Sequence, residues 1–278
     1  MLDLLALTET PALVIGGASG IGRATARMLG QAGANVAVAD LDAAAAEKVA
    51  AEIRSEGGKA VALGGDVLDP QGAARVVDGA HAALGGLEAV VNIVGFAAWS
   101  PLLDYDFATW NHDLQRNLNH HLFVGQAAAR RFIADGVPGR IAMVASVSGL
   151  YGAPNHAAYG AAKAGVMALA RSMADEWGRY GIRANAVAPD CIRTPRVVAG
   201  FTTRGVDDPD AVVRADGLPL GRWGEPEEIA GPLVFLVSKL SSFMSGQTLV
   251  ADGGMRAHFP HGGTNPMRKT DQQPGSGS

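Results

Sequence analysis

The stretch ALVIGGASGIG, residues 12–22, decides the fold of this chain. It begins as a short apolar run, passes through a glycine-rich turn from Gly16 to Gly22, and leads into a segment of helical character. A turn of this kind between a buried strand and a helix lets the backbone approach a pyrophosphate, which the first amides of the helix can bind. The stretch therefore predicts the first β-α unit of a dinucleotide-binding fold.

Short apolar runs and longer alanine-rich segments alternate along the rest of the chain. NVAVAD at 35–40, LEAVVNIVG at 87–95 and GRIAMVASVSG at 139–149 are candidate strands, and helical segments separate them. These runs lack polar alternation, as expected for parallel strands that are buried on both faces. The sequence predicts a single-domain α/β fold with a Rossmann-type doubly wound parallel sheet.

The domain is predicted to span residues 1–256, with a polar C-terminal tail at 257–278 that ends in GSGS. Scattered Pro, Gly and Asp interrupt the alternation at about 190–224. We expect a long loop with short helical pieces there, which acts as a lid over a site.

Composition limits the possible partners and the compartment. The formal net charge of −4 gives no basic footprint for nucleic acid. No apolar run reaches the length of a membrane span, and the N-terminal segment lacks the basic region of a secretory signal. Cys191 is the single cysteine, so no internal disulfide can form and we expect a cytoplasmic protein.

Asp40 ends the second predicted strand, where a dinucleotide fold places the carboxylate that binds the adenosine ribose. A carboxylate there repels a 2′-phosphate, and neither the glycine-rich turn nor Leu41 offers a cation. The expected cofactor is NAD rather than NADP. The alternative is that Asp40 caps the next helix, although Asp42 can do so equally well.

The segment YGAAK, residues 159–163, carries the second informative pattern. In a helix, Tyr159 and Lys163 lie on one face with their Cβ atoms about 5–6 Å apart. Such pairs are common on solvated surfaces, so the pair alone favours no chemistry. A lysine ammonium beside a phenol would nevertheless lower the phenol's pKa from its usual value of about 10.

The order of these motifs resembles that of the short-chain dehydrogenase/reductase family over roughly residues 8–256. The resemblance rests on the glycine pattern at Gly16, Gly20, Ile21 and Gly22, the GGDV segment, and the closing segment RWGEPEEIAGPLVFLVSKLSSFMSGQTLVADGG. It implies catalysis by Tyr159, Lys163, Ser146 and Asn117. It implies cofactor binding by Gly16, Ser19, Gly20, Ile21, Gly22, Asp40, Leu41, Asp66, Val67, Asn92, Gly95, Tyr159, Lys163, Pro189, Ile192 and Thr194.

The resemblance also implies a role for each catalytic residue. Tyr159 exchanges a proton with a secondary alcohol or ketone while hydride moves to or from the nicotinamide. Lys163 acidifies the phenol and holds the nicotinamide ribose, Ser146 binds the reacting oxygen, and Asn117 orders a relay water. Ser146 could instead be a turn residue replaced by Ser148. Asn117 could be a surface amide, and Thr194 could belong to a turn.

Three departures from the family pattern stand in the sequence. Ile15 replaces the usual Thr at the end of the first strand, and VNIVG at 91–95 keeps only Asn92 and Gly95 of the usual segment. Asp190 replaces the Gly of the usual Pro-Gly pair, which places a carboxylate near the expected nicotinamide position.

The expected substrate pocket is mostly apolar with aromatic walls and contains no cluster of Arg or Lys, so neither a phosphate nor a carboxylate substrate is expected. An apolar cyclic or aromatic alcohol, or its ketone, is the predicted substrate. No metal site is expected, because His120 and His121 diverge on a helix. The pocket residues are Phe96, Trp99, Leu150, Tyr151, His156, Cys191 and Phe201.

Two other functions remain open. A ketoacyl-thioester reductase would use the same catalytic residues, although Asp40 disfavours its usual NADPH. A catalytically impaired NAD(H)-binding regulatory protein would fit the three departures. The resemblance implies a homotetramer, with a homodimer as the alternative.

Overall fold

The computed structural model describes residues 4–203, 208–215 and 217–257 of the 278-residue chain. The side chains of residues 201, 202, 209, 213 and 215 are not part of that description. The predicted tail therefore lies almost wholly outside the described residues, as do His258 and His261.

Seven strands and nine α-helices make up the described part of the chain. The strands are β1 (Pro11–Ile15), β2 (Asn35–Asp40), β3 (Lys59–Gly64), β4 (Ala89–Asn92), β5 (Arg140–Val144), β6 (Arg183–Pro189) and β7 (Thr248–Ala251). The helices are α1 (Gly20–Gln31), α2 (Ala43–Ser55), α3 (Pro70–Leu84), α4 (Phe107–Leu114), α5 (His120–Asp135), α6 (Ala157–Trp177), α7 (Pro195–Thr203), α8 (Pro209–Ala215) and α9 (Pro226–Val237).

All seven strands lie parallel in one sheet, in the order β3-β2-β1-β4-β5-β6-β7. The chain moves outward from β1 to β3, then crosses back to place β4 on the other side of β1. This reversal opens a crevice at the carboxyl ends of β1 and β4, which is where doubly wound sheets bind ligands. The predicted Rossmann-type fold is confirmed.

Apolar cores cover both faces of the sheet. One core joins the sheet to α3, α5 and α6, and the other joins it to α1, α2 and α9. The central strands are apolar without alternation because both of their faces are buried, and β4 is buried along its whole length. Apolar burial on both faces of one sheet makes a single domain of residues 4–257 in the described ranges.

Polar side chains determine where several helices begin. Asp42 caps α2 by accepting a hydrogen bond from the Ala45 amide at 3.0 Å. Asp69 caps α3 ahead of Pro70, and Glu225 forms a capping box with Glu228 at the start of α9. Because α2 is capped by Asp42, the carboxylate of Asp40 is not needed for that purpose.

The segment predicted as a lid contains two short helices, α7 and α8, between β6 and α9. Ile192 forms a parallel bridge with Gly224, which ties the two ends of the segment together. Leu218 and Trp223 form a small separate core beneath it, packed against Cys191. Within the described ranges, none of the helices is long and apolar enough to cross a membrane.

Candidate active site

The glycine-rich turn closes tightly over the carboxyl end of β1. The amides of Gly16 and Gly17 donate to the Ala39 carbonyl at 2.9 and 3.0 Å, which fixes the turn to the end of β2. A Cβ atom on Gly22 would lie 1.8 Å from the Gly16 carbonyl oxygen. Only glycine therefore fits at this position. Ser19 at the N-cap of α1 makes no side-chain bond to the helix, so its side chain leaves the first amides of α1 available.

Asp40 is held at the carboxyl end of β2 by two backbone amides. Its Oδ2 accepts from the Ala18 amide at 3.1 Å, and its Oδ1 accepts from the Asp42 amide at 3.2 Å. Leu41 beside it is 77% exposed. The carboxylate thus lies between the glycine-rich turn and the start of α2, where an adenosine ribose is expected.

Two further predicted residues follow β3 and precede α3. Asp66 accepts the Leu68 amide at 2.9 Å, and Val67 is buried in the core. Both lie beyond the carboxyl end of β3, on the same edge of the sheet as Asp40. We call the turn 16–22 together with Asp40, Leu41, Asp66 and Val67 the nucleotide half of the crevice.

Ser146, Tyr159 and Lys163 meet where β5 ends against α6. Lys163 is 1% exposed, and its Nζ donates to the Val144 carbonyl at 2.8 Å. The same Nζ lies 5.5 Å from the centre of the Tyr159 ring, so the pair shares one helix face, as the spacing predicts. The phenol of Tyr159 is hydrogen-bonded to Ser146. Ser146 and not Ser148 therefore contacts the phenol.

Burial governs both ionisable groups of this cluster in the chain alone. Desolvation raises the pKa of Tyr159, and the hydrogen bond from Ser146 opposes that rise. Desolvation lowers the pKa of Lys163 to about 7. The expected lowering of the phenol's pKa by the lysine is therefore absent in the chain alone. It remains a prediction for the complex with an oxidised, cationic nicotinamide.

Gly95 is the point at which Lys163 and Asn117 converge. A Cβ atom on Gly95 would lie 3.0 Å from Lys163 Nζ and 3.1 Å from Asn117 Oδ1. A side chain at residue 95 would therefore intrude between the two groups. This close approach gives a physical reason for glycine after the VNIV segment, although the two apolar residues before it differ from the family pattern.

Asn117 is buried in a π-helical segment, Gln115–Asn119, between α4 and α5. Its Nδ2 donates to the carbonyls of Phe96 and Asp113 at 2.7 and 2.9 Å, and its Oδ1 accepts the Phe96 amide at 2.7 Å. The side-chain amide therefore holds the chain that follows β4. It is not a surface amide. A relay water would have to bind either the remaining lone pair of Asn117 Oδ1 or the backbone of the π-helical segment.

The predicted pocket residues divide into those that the structure brings together and those that it does not. Trp99 and His156 pack with ring centres 4.6 Å apart, and His156 lies 5.9 Å from the Tyr159 ring. His156 Nε2 lies 3.1 Å from Ser148 Oγ. These contacts form an aromatic wall beside the phenol. Phe201 belongs to α7, but its side chain lies outside the described residues.

Leu150 and Tyr151 follow Ser146 in the loop before α6 and are exposed at the mouth of the crevice. Phe96, in the segment that follows β4, is 45% exposed. We call Phe96, Trp99, Leu150, Tyr151 and His156, together with the lid, the substrate half of the crevice.

Asp190 lies at the start of the lid segment, directly after β6. It lines a small cavity with Cys191, Leu218, Asp252 and Gly253, and Cys191 Sγ lies 3.5 Å from its Oδ1. Burial raises the pKa of the Asp190 carboxyl, and the hydrogen bond from Cys191 lowers it. The backbone tolerates the departure from glycine, because the Asp190 amide still bonds to the Ala251 carbonyl at 3.2 Å.

The chain matches known proteins along almost its whole length. A family model described as enoyl-(acyl carrier protein) reductase matches residues 16–256. A solved short-chain type dehydrogenase/reductase from Mycobacterium marinum is 34% identical, with a TM-score of 0.83, over 91% of this chain and 97% of that one. The chain belongs to the short-chain dehydrogenase/reductase family. The resemblance inferred from the motifs is confirmed.

Curated members of the short-chain dehydrogenase/reductase family match nearly end to end. The cis-4-hydroxycyclohexanecarboxylate dehydrogenase of Sinomonas cyclohexanicum is 40% identical over 91% of this chain and 98% of that protein. The L-rhamnose 1-dehydrogenase (NAD(P)(+)) of Azotobacter vinelandii is 36% identical over 90% and 97%. As a member of this family, the chain is an oxidoreductase that uses a nicotinamide cofactor.

The described residues fit such a cofactor. Thr194 lies over the glycine-rich turn, since a Cβ atom on Gly20 would be 3.2 Å from Thr194 Cγ2. Pro189 is buried at the end of β6 and Ile192 is buried two residues before Thr194. The turn, the ribose carboxylate and Thr194 thus line one continuous edge of the crevice, and Lys163 and Gly95 lie at its catalytic end.

Three residues of the short-chain dehydrogenase/reductase site were missed by sequence reasoning. Asp113 is fully buried and accepts from the Ala98 amide at 3.1 Å and the Tyr105 hydroxyl at 2.9 Å. Arg116 pairs with Asp113 at 3.0 Å and lies 4.6 Å from the centre of the Phe96 ring. Arg196 lies 5.2 Å from the same ring centre. The Asp-Arg spacing of three in DLQR was a usable signal for the first two.

The two adjacent histidines of α5 pack inside the protein. His120 Nδ1 lies 3.1 Å from Asn92 Nδ2, and burial lowers the pKa of His120 to about 3. His121 is buried against it, with ring centres 4.1 Å apart. The described residues contain no group of His, Cys, Asp or Glu able to hold a metal ion. The prediction that the two side chains diverge is wrong, because both rings are buried and pack against each other in the interior.

Proposed function

We propose that the protein is an NAD-dependent dehydrogenase that interconverts a ring secondary alcohol and its ketone. The observation that carries the proposal is the cluster of Ser146, Tyr159 and Lys163 at the catalytic end of the nucleotide crevice. A phenol that is hydrogen-bonded to a hydroxyl, with a lysine near its ring, can bind a carbinol oxygen and exchange its proton. The bound nicotinamide would accept or return the hydride of the carbinol carbon.

Each residue of the cluster has a distinct task in this proposal. Ser146 Oγ donates to the substrate oxygen and orients it toward the phenol. Tyr159 accepts the alcohol proton as phenolate during oxidation and returns it as phenol during reduction. Lys163, when protonated, stabilises the phenolate, because an ammonium group favours a nearby anion. In the chain alone, burial favours the protonated phenol, which is the form needed to reduce a ketone.

NAD is proposed because Asp40 occupies the ribose position. A 2′-phosphate would carry about −1.5 to −2 charges against this carboxylate. Asp40 is fixed by the Ala18 and Asp42 amides, so it cannot readily move away. The rhamnose dehydrogenase of Azotobacter vinelandii bears NAD(P)(+) in its name, so the preference of this chain needs its own measurement.

A ring substrate is proposed because aromatic side chains line the substrate half. Trp99, Tyr151 and Phe96 are each more than 40% exposed there, and such rings pack well against a flat or puckered ring. The Sinomonas relative is named for a cyclohexane alcohol, which supports the same substrate class. A chain that turned over only open polyols would contradict this part of the proposal.

The proposal is tested by measuring nicotinamide absorbance with NAD and, separately, with NADP against ring, aliphatic and polyol secondary alcohols. Tyr159→Phe should lower kcat by about 10²- to 10⁴-fold, because it removes the proton-transfer group. NADH binding, followed by fluorescence, should change little. Unaltered turnover in Tyr159→Phe would overturn the assignment, and silence of the wild type with both cofactors would favour the regulatory alternative.

The ketoacyl-thioester alternative predicts a different pattern in the same assay. It requires NADPH-dependent reduction of a β-ketoacyl thioester, which Asp40 disfavours.

We also propose assembly into a homotetramer or homodimer, for which α5 offers the exposed side chains of Leu122 and Ile133. Light scattering of the purified protein measures the molecular mass of the assembly and so distinguishes a monomer, a dimer and a tetramer.

A further inference from the structure

Phe96 forms a rigid platform at the mouth of the crevice. Its backbone amide and carbonyl are both held by the buried side chain of Asn117, at 2.7 Å each. The aromatic ring extends from this fixed backbone and is 45% exposed. Whatever packs on the ring is therefore positioned relative to the catalytic residues.

Two guanidinium groups pack on this platform. Arg116 lies 4.6 Å and Arg196 lies 5.2 Å from the ring centre, both within the range of cation–π attraction. The charge of Arg116 is offset by the buried carboxylate of Asp113, with which it pairs at 3.0 Å. Arg196 has no carboxylate within 4 Å among the described residues. The net positive charge at the platform therefore belongs to Arg196.

Arg196 differs in this respect from three other arginines in the described part of the lid. Arg193 pairs with Asp210 and Glu225, and Arg214 and Arg222 pair with Asp208 and Glu228. Those three side chains hold the lid together. Arg196 is exposed and spends one donor on the Gly95 carbonyl, at 3.3 Å. Since a guanidinium has five N–H donors, most of its donors can serve a ligand.

The Gly95 contact connects this charge to the catalytic end of the crevice. Gly95 is the residue at which Lys163 Nζ and Asn117 Oδ1 converge. Arg196 is thus bonded to the residue that Lys163 approaches, and its guanidinium packs on Phe96. A planar guanidinium on an aromatic face suits the two-oxygen geometry of a carboxylate better than a lysine would.

We propose that Arg196, stacked on Phe96, binds a carboxylate carried by the substrate and so selects anionic ring alcohols over neutral ones. The proposal rests on the proposed function and narrows its substrate class. It also reverses the expectation of an uncharged pocket. That expectation rested on a set of pocket residues that included Cys191 and Phe201 of the lid but not Arg196.

The test compares 4-hydroxycyclohexanecarboxylate with 4-methylcyclohexanol at saturating NAD. Wild type should prefer the carboxylate in kcat/KM. Arg196→Met should lower kcat/KM for the carboxylate by about 10- to 100-fold, as expected for loss of a charge-assisted hydrogen bond. It should change the value for the neutral alcohol by less than about threefold. Arg196→Lys should recover part of the loss, because it keeps the charge without the planar fork.

The matched control is Arg179→Met, which removes the same charge from an exposed arginine that also packs on an aromatic ring, that of Tyr180 at 4.8 Å, but outside the crevice. It should leave the carboxylate preference intact. An equal loss on both substrates in Arg196→Met would overturn the proposal. A parallel loss of NADH affinity would do the same, because the guanidinium would then serve the cofactor diphosphate.

A binding measurement separates this proposal from the proposed function. Calorimetric titration of the NADH complex with cyclohexanecarboxylate requires no turnover. Wild type should bind it at least about tenfold more tightly than Arg196→Met, whereas both should bind cyclohexyl methyl ketone equally. That result would stand if Tyr159 proved not to be the proton-transfer group. Equal affinity of the two proteins for the carboxylate would overturn the role of Arg196.

Discussion

The nucleotide half and the substrate half of the crevice are built from different parts of the polypeptide. The nucleotide half is made chiefly of backbone: the turn 16–22 is tied to Ala39 by amide–carbonyl bonds and excludes any side chain at Gly22. The substrate half is made of side chains on loops, among them Trp99, which is 61% exposed. The backbone half tolerates little change, whereas the side-chain half can be varied one residue at a time.

The largest effect is expected for Gly22→Ala in the nucleotide half. Its Cβ would meet the Gly16 carbonyl at 1.8 Å, so the turn must open. Such overpacking costs about 1–3 kcal/mol. We expect NADH affinity to fall at least about tenfold, together with the unfolding temperature, as measured by fluorescence titration and circular dichroism.

Gly79→Ala is the matched control, because a Cβ atom there on α3 meets only Leu63 at 3.9 Å, an ordinary van der Waals contact. It should leave NADH affinity unchanged and add up to about 1 kcal/mol of stability through helix propensity. Wild-type NADH affinity in Gly22→Ala would break the comparison, because the turn would then tolerate a side chain.

An intermediate effect is expected where the two halves meet, at Lys163. Burial lowers its pKa from 10.5 to about 7, so between these pH values the unfolded chain binds a proton that the folded chain does not. The free energy of unfolding should therefore rise with pH over this window and reach its full value above about pH 10.5. The slope is at most about 1.4 kcal/mol per pH unit.

Urea unfolding at pH 7.5, 8.5 and 9.5 measures this slope, and Lys163→Met removes it. As the pH rises from 7.5 to 9.5, the free energy of unfolding of the wild type should increase relative to that of the variant. A difference that does not change across these pH values would show that Lys163 is charged in the folded chain. The surroundings of Lys163 would then be more solvated than its 1% exposure indicates.

The smallest effect is expected for Trp99→Ala in the substrate half. The variant loses the packing of Trp99 on His156, an aromatic contact worth about 0.5–1.5 kcal/mol. KM for a ring alcohol should rise about 2- to 10-fold, with NADH affinity unchanged. Tyr180→Ala, at the opposite end of the sheet beside the start of β6, should alter neither value. A loss of NADH affinity in Trp99→Ala would mean that the two halves are not separable.

The local geometry of the nucleotide half could be predicted from the sequence because its determinants are close together along the chain. The glycine-rich turn needs glycine at fixed positions, and the cap of α2 by Asp42, which frees Asp40, involves residues only a few positions apart. The pairing of Tyr159 with Lys163 follows from helix geometry alone. These features can be recognised from short segments without knowledge of the tertiary structure.

The substrate half was predicted less completely because its contacts are distant in sequence. Arg196 reaches the Gly95 carbonyl across 101 positions, so no local pattern indicates that a cation lies on Phe96. Burial was equally hidden. The family resemblance implied that Lys163 lowers the pKa of the Tyr159 phenol, but desolvation raises that pKa in the chain alone.

Asp113 has a consequence for how this enzyme can diverge. A single buried carboxylate holds the Ala98 amide, the Tyr105 hydroxyl and Arg116, so the loop between β4 and α4 is moored near both of its ends. Leu102 and Leu103, which lie between Ala98 and Tyr105 in this loop, are exposed. Substitutions at these exposed positions can therefore change the side chains at the rim of the crevice while the Asp113 contacts keep the loop backbone in place. The loop can thus alter the substrate range of the enzyme without a change in the fold.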